Sequence, residues 1–170
     1  MRIICEQTSE KSITESLKVL LEESIICSIA TVTSNGHAYI SDVYFSYSPE
    51  MDFYFISSPD TVHCRNIAGN PTMALSVHRP QREWGNPDSG VQLFGHCREA
   101  RDAERTAALA VYEKRFPAYA AQIAAKNPGD EVAERLRGYG LFHFVPDNIK
   151  LLDEKRFGGA VLVSAVIQRD

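Results

Sequence analysis

The sequence predicts a mainly β protein with some α: an antiparallel barrel of six to eight strands with helices packed outside it. Three observations predict it. Strand-like runs rich in β-branched and aromatic residues recur through the first hundred residues and return after residue 139. Most neighbouring runs are joined by turns too short for the crossovers that parallel strands need. Only one short helical stretch separates strands in the first half, so a doubly wound parallel sheet has nothing to be built from. The 170 residues suffice for a single domain spanning 1–170, which buries roughly 70% of the surface its unfolded chain exposes.

The elements follow in order. Residues 12–24 read as a helix: Ser12-x-x-Glu15 has the capping-box form, and Ile13, Leu17, Leu20 and Leu21 fall on one face. "IICSIATV", 25–32, reads as a strand, "SNG", 34–36, as a hairpin turn, and "HAYISDVYFSYS", 37–48, as the returning strand. A turn at 49–52 leads to "FYFIS", 53–57, completing a meander. The stretch "SSPDTVHCRNIAGNP" then makes one short helix. Asp60 is its expected cap, Gly69 its expected left-handed end, and Pro71 stops it. "TMALSVH", 72–78, reads as a strand, 79–90 as a polar loop rich in Pro and Gly, and 91–100 as a long strand in which Gly95 marks a bulge. Asp102 is the expected cap of a helix over 103–115. Phe116-Pro117 interrupts that helix, a second piece runs to about 125, and "NPGD", 127–130, breaks it. "EVAERLRG" adds a turn or two, making three or four helices in all. Strands return at 139–146, 148–154 and 159–167.

Composition narrows the function. At 44% hydrophobic and 24% charged, the chain reads as an ordinary soluble globular protein. A net charge of −4 with no basic stripe argues against a nucleic-acid surface. No apolar run approaches the roughly 20 residues of a membrane span, and the N-terminus does not have the form of a secretion signal. Cys5, Cys27, Cys64 and Cys97 are far apart and never form C-x-x-C. This points to reduced thiols in a cytoplasmic protein rather than a zinc or redox pair. His37, His63, His78, His96 and His143 are scattered, and no metal site is expected.

The chemistry concentrates at the short helix. A helix start presents unpaired N–H groups and the positive end of the dipole, and binds phosphate well. Ser57, Ser58 and Thr61 add hydroxyls there, His63 a ring N–H and Arg65 a cation. Two readings stand: plain capping by Asp60, or an anion site with Asp60 turned outward.

The order helix, three-strand meander ending in "FYFIS", helix "TVHCRNIAGNP", strand, loop and "GVQLFGHCREARDAE" resembles the pyridoxamine 5'-phosphate oxidase-like, FMN-binding split-barrel family over residues 12 to about 105. The resemblance implies a split barrel, a homodimer and a flavin in a groove between subunits. The family's Ser-Arg-Lys phosphate pattern aligns with Thr61, Val62 and His63. An Arg and a Lys of its second meander strand align with Ser41 and Ser46, so most of the fixed positive charge is gone. By the same resemblance Val43 and Tyr44 contact the ring, Ile56 and Ser57 close its edge, and Gln92 occupies the strand that supplies a flavin-contacting Gln. Trp84 is a candidate lid, and Lys155 and Arg156 are candidates to reach a flavin tail or substrate across the dimer. The C-terminal Arg-x-His of the pyridoxamine oxidases is absent. The implied function is a flavin-dependent oxidoreductase acting on a small molecule. The alternatives are an F420-binding reductase, a non-enzymatic haem or flavin binder, and a barrel that has lost its cofactor.

Overall fold

A computed structural model describes residues 1–80, 83–125, 129–159 and 161–169. Eight strands form one antiparallel sheet. β2 (Ile26–Val32), β3 (Ala38–Tyr47) and β4 (Phe53–Ser57) make the expected meander, and β5 (Thr72–His78) and β6 (Ser89–Glu99) follow. β7 (Gly140–Asp153) pairs with both β4 and β6, closing β2-β3-β4-β7-β6-β5 into a six-stranded barrel. β8 (Leu162–Gln168) and β1 (Arg2–Ile4) extend the sheet beyond β7.

β7 is where the barrel splits. One edge pairs with β6 along nearly its whole length. The other edge is shared: Gly140–Phe144 pairs with β4, and Asn148–Leu152 with β8. Two strands were expected here, at 139–146 and 148–154, but the chain runs straight through Pro146. Pro146 lies opposite Gly95, beside a register shift between Phe94 and Gly95. A bulge tolerates a residue that cannot donate to the ladder. Gly95 is required there, because a Cβ on it would stand 2.1 Å from the Val145 carbonyl oxygen.

The inward faces of the strands fill the barrel. Phe45, Phe53, Phe55 and Phe144 are fully buried, and Phe53 lies 5.9 Å from Phe45 and 6.3 Å from Phe144, centroid to centroid. α1 (Glu10–Glu23) packs Ile13, Leu17, Leu20 and Leu21 onto the same core, each burial worth about 1.5–3 kcal/mol. Outside the barrel, Ala108 of α3 (Asp102–Arg115) packs with Tyr54, Leu141 and Ala100 in a separate cluster.

Helix ends depart from expectation in physically clear ways. The cap of α1 is Ser9, whose hydroxyl accepts from the Ser12 N–H at 3.2 Å, one turn before the expected cap. Glu10 accepts the Ile3 N–H at 2.8 Å and ties this turn to β1, a strand too short to show alternation. The residue before α2 (Val62–Gly69) is Thr61 rather than Asp60, with no side-chain cap bond, and the helix end is an extended Asn70 rather than a left-handed Gly69. Asp102 is the first residue of α3, at φ +50°, with no side-chain cap before it. α4 (Pro117–Ala124) starts at Pro117, as the interruption required. α5 (Glu131–Arg137) is capped by Asp130, which accepts from the Ala133 N–H at 3.0 Å. α6 (Glu154–Phe157) takes the last residue of the expected 148–154 strand and brings the described helices to six. Asn127 and Pro128 of the expected helix break, Gln81 and Arg82 of the polar loop, and Ala160 of the final strand lie outside the described residues. Among the described residues no helix is long and apolar enough to cross a membrane.

Candidate functional site

A groove opens where β3 and β4 part. Their ladder covers only Phe45–Tyr47 against Phe53–Phe55. Beyond it, Val43 and Tyr44 form one lip, and Ile56 and Ser57 the other, of a cavity of about 560 Å³. Thr61 and His63 line it from the start of α2, while Tyr112, Arg115, Phe116 and Tyr119 line it from the corner between α3 and α4. Tyr139, just before β7, completes the wall.

Six of the eight residues expected to bind the cofactor therefore meet here, Val43, Tyr44, Ile56, Ser57, Thr61 and His63, joined by Ser58 of the same helix start. Two do not. Ser46 pairs with Tyr54 and is fully buried, with no hydrogen-bond partner for its hydroxyl among the described residues. Gln92 is exposed on the outer face of β6, between Ser76 and Lys150. Trp84 stands fully exposed in the loop before β6 and lines no part of the groove. Arg65 also lies outside it, donating to the Asp60 carbonyl. Arg156 pairs with Glu15 at 2.8 Å, and Lys155 lines a separate cavity beside α1.

At the helix start, three side chains bond to one another. Ser57 Oγ lies 2.8 Å from His63 Nε2, and Thr61 Oγ1 lies 3.2 Å from the same nitrogen. The Thr61 hydroxyl donates to the Ser58 carbonyl at 2.9 Å, so toward its other neighbours it accepts. Burial lowers the His63 pKa below the usual 6.5, so the imidazole is neutral at pH 7. The first-turn N–H groups of α2 have no acceptor within the helix and remain as donors.

Charge in the groove is unevenly committed. Arg115 is the one permanent cation among its described lining residues. It donates through Nη2 to the carbonyls of Leu21 (2.6 Å) and Ser24 (2.5 Å), and its guanidinium lies 4.8 Å from the Phe45 ring centroid and 5.1 Å from that of Tyr47. It clamps α3 to the end of α1. Asp42, also in the lining, has one oxygen accepting from Ser28 Oγ at 2.6 Å and no ion pair with a described residue.

The other end of α3 is held by a second polar cluster. Glu104 pairs with Arg98 and lies 2.5 Å from His143 Nδ1. Asp52 lies 3.4 Å from His143 Nε2 and 3.0 Å from an Arg169 nitrogen. Burial alone would lower the His143 pKa, but Asp52 and Glu104 together raise it above its ordinary value. Among the described residues no group of His, Cys, Asp and Glu is placed to hold a metal ion.

Sequence reasoning missed Asp42, Tyr112, Arg115, Phe116, Tyr119 and Tyr139. For Tyr112, Arg115, Phe116 and Tyr119 the signal lay in "VYEKRFPAY", where two tyrosines flank a helix-breaking Phe-Pro. Nothing local told that this corner folds back over β3.

The stretch 13–152 matches the pyridoxamine 5'-phosphate oxidase family. No curated protein gives a significant match. Several solved structures share the fold. A heme binding protein from Mycobacterium smegmatis is 17% identical, with a TM-score of 0.70 over 90% of this chain and 57% of that one. This chain thus spans little more than half the length of that relative. HutZ, the heme storage protein from Vibrio cholerae, is 17% identical, with a TM-score of 0.61 over 78% of this chain and 88% of its own. A Clostridium acetobutylicum protein related to general stress protein 26, of the pyridoxinephosphate oxidase family, is 17% identical, with a TM-score of 0.62 over 94% and 97%. At these identities the likeness concerns the fold.

Proposed function

The chain belongs to the pyridoxamine 5'-phosphate oxidase family, and from that premise we propose that the groove between β3 and β4 binds a flavin, FMN, in a flavin-dependent oxidoreductase. The observation that carries this reading is the parting of the two strands. Main-chain groups around Val43–Tyr44 and Ile56–Ser57 leave the β3–β4 ladder at the lips of an aromatic-walled cavity. A planar heteroaromatic ring fits there, its polar edge meeting backbone donors and acceptors and its faces meeting Tyr44, Tyr112 and Phe116.

The phosphate end fits less fully. Backbone N–H groups of α2, Thr61 and neutral His63 are available to it, but no uncommitted cation is, and Asp42 opposes an anion. Each missing charge-assisted bond forfeits about 1.5–3 kcal/mol, so FMN is held more weakly than in a site carrying Arg and Lys. A bound flavin supplies hydride transfer. The chain's own part is to orient the ring between Tyr44 and Phe116, to keep water from it, and to present a neutral imidazole at His63.

The same reading includes a homodimer. One register row of outward-facing residues, Ile40, Ala30, Ala74, Phe94, Asn148, Val166 and Ile4, crosses seven strands and is apolar but for one side chain. Ile40 is 70% exposed, and Ile4 and Val166 about half exposed. A second copy would cover this row. Gln92, exposed on the same face of β6, would then act in the partner's groove rather than its own.

The direct test is to denature the purified protein and identify any released chromophore by mass, F420 being a distinguishable outcome. In an FMN titration, Thr61→Ala combined with His63→Ala weakens binding more than tenfold; unchanged affinity rejects the phosphate role. A second reading, haem binding, is favoured by one observation: His63 is the single imidazole among the described residues lining the groove and is kept neutral, as a metal ligand must be. Under that reading haemin gives a sharp Soret band that His63→Ala removes.

A further inference from the structure

We propose that the groove also binds a small organic ammonium ion, seated between the Asp42 carboxylate and the ring walls of Tyr44, Tyr112 and Phe116. The inference goes beyond the flavin reading and does not depend on it.

Two independent features of the cavity carry it. The first is an aromatic enclosure drawn from separate elements. Tyr44 of β3 meets Phe116 edge-on at 5.9 Å between centroids. Phe116 lies 4.7 Å from Tyr112 of α3, and Tyr112 meets Tyr119 of α4 edge-on at 5.3 Å. All four rings line the one cavity of about 560 Å³. Ring faces carry negative electrostatic potential and attract a cation, more strongly as water is excluded. The second feature is charge. Asp42 is bonded only by the neutral Ser28 hydroxyl at 2.6 Å and has no cation among the described residues. The groove's own guanidinium, Arg115, is occupied by two carbonyls and two rings. His63 is neutral. Arg115 keeps its positive charge, but it is turned to those carbonyls and rings, whereas the Asp42 carboxylate has only a hydroxyl for a described partner and stands on the same strand face as Tyr44, two residues away. A cation with apolar substituents satisfies both features at once. An anion meets Asp42, and a neutral molecule of equal shape gains only burial.

The test is isothermal titration of the full chain with choline and with its uncharged isostere, 3,3-dimethylbutan-1-ol. Choline is expected to bind at least tenfold more tightly than the isostere. Asp42→Asn keeps an oxygen for Ser28 while removing the charge, so it should weaken choline at least tenfold and leave the isostere unchanged. Phe116→Leu should weaken choline as well, and circular dichroism checks that both variants are folded. Equal affinity for the two probes, no measurable choline binding, or indifference to Asp42→Asn overturns the proposal. Choline binding without FMN binding overturns the flavin reading alone, and FMN binding without a preference for choline overturns this inference alone.

Discussion

Two histidines in this protein are set in opposite directions by their surroundings. His63, buried at the start of α2 against hydroxyls, has its pKa lowered. His143, between Asp52 and Glu104, has its pKa raised against its own burial. Linkage then gives opposite pH dependences. The stabilisation from His143 is fully present below about 6.5, its unfolded value, and is lost as pH rises through the higher folded value. His63 acts the other way: below about 6.5 the unfolded chain takes a proton that the folded site resists, so its contribution falls with acidification. The stability difference between the wild type and His143→Gln should therefore shrink as pH is raised above 6.5. Urea midpoints measured across that range check this, and a constant difference would show that His143 carries no linked proton. Ser46 offers a simpler test. Its buried hydroxyl has no partner among the described residues and lies outside the groove. Ser46→Ala should change stability by less than about 1 kcal/mol, toward greater stability, and leave FMN affinity unaltered.

At the scale of elements, the molecule depends on β7 and α3. β7 serves the barrel and the extension at once, and it can do so because Gly95 lets the β6–β7 pair shift register beside Pro146. Gly95→Ala drives a methyl into the Val145 carbonyl. It should cost about 3 kcal/mol, the upper part of the overpacking range, read as a lowered thermal midpoint. α3 is pinned at both ends: Glu104 reaches His143 and Arg98 at its start, and Arg115 reaches the last carbonyls of α1 at its end. Between these anchors only Ala108 and Tyr112 are buried. Arg115→Ala leaves those carbonyls without a donor and frees the corner that walls the groove. The expected result is loss of about 2–4 kcal/mol together with weaker ligand binding. Arg115→Lys would restore little, since one ammonium cannot span two carbonyls and lie flat on two rings.

For the whole molecule, the proposed dimer rests on the outer barrel face. An outward-facing row of Ile, Ala, Phe and Val across seven strands, broken only by Asn148 and exposed at Ile40, Val166 and Ile4, is unusual on a free surface. Ile40→Asp places a charge at one end of this row while touching nothing in the core, since Ile40 is 70% exposed. Sedimentation should show the wild type as a dimer and this variant as a monomer with unchanged circular dichroism. A monomeric wild type would contradict the dimer and leave Gln92 without a groove to reach.

Readable from the residues alone were the strands of the meander, 72–78 and the bulge at Gly95, and, through the family resemblance, six groove residues of β3, β4 and the start of α2. Those features are local: alternation, turn chemistry and the order of pieces are written within a few residues of one another. Only the tertiary structure decided that β7 is continuous, that β1 exists, that Ser46 is buried, and that Asp42 and the rings of 112–119 face the same cavity as Thr61. Each of those rests on which distant strand or helix a segment packs against. A continuous β7 needs β4, β6 and β8 beside it, and the groove's far wall needs α3 pinned to both α1 and His143. Residue type and spacing along the chain carry no trace of such long-range pairings.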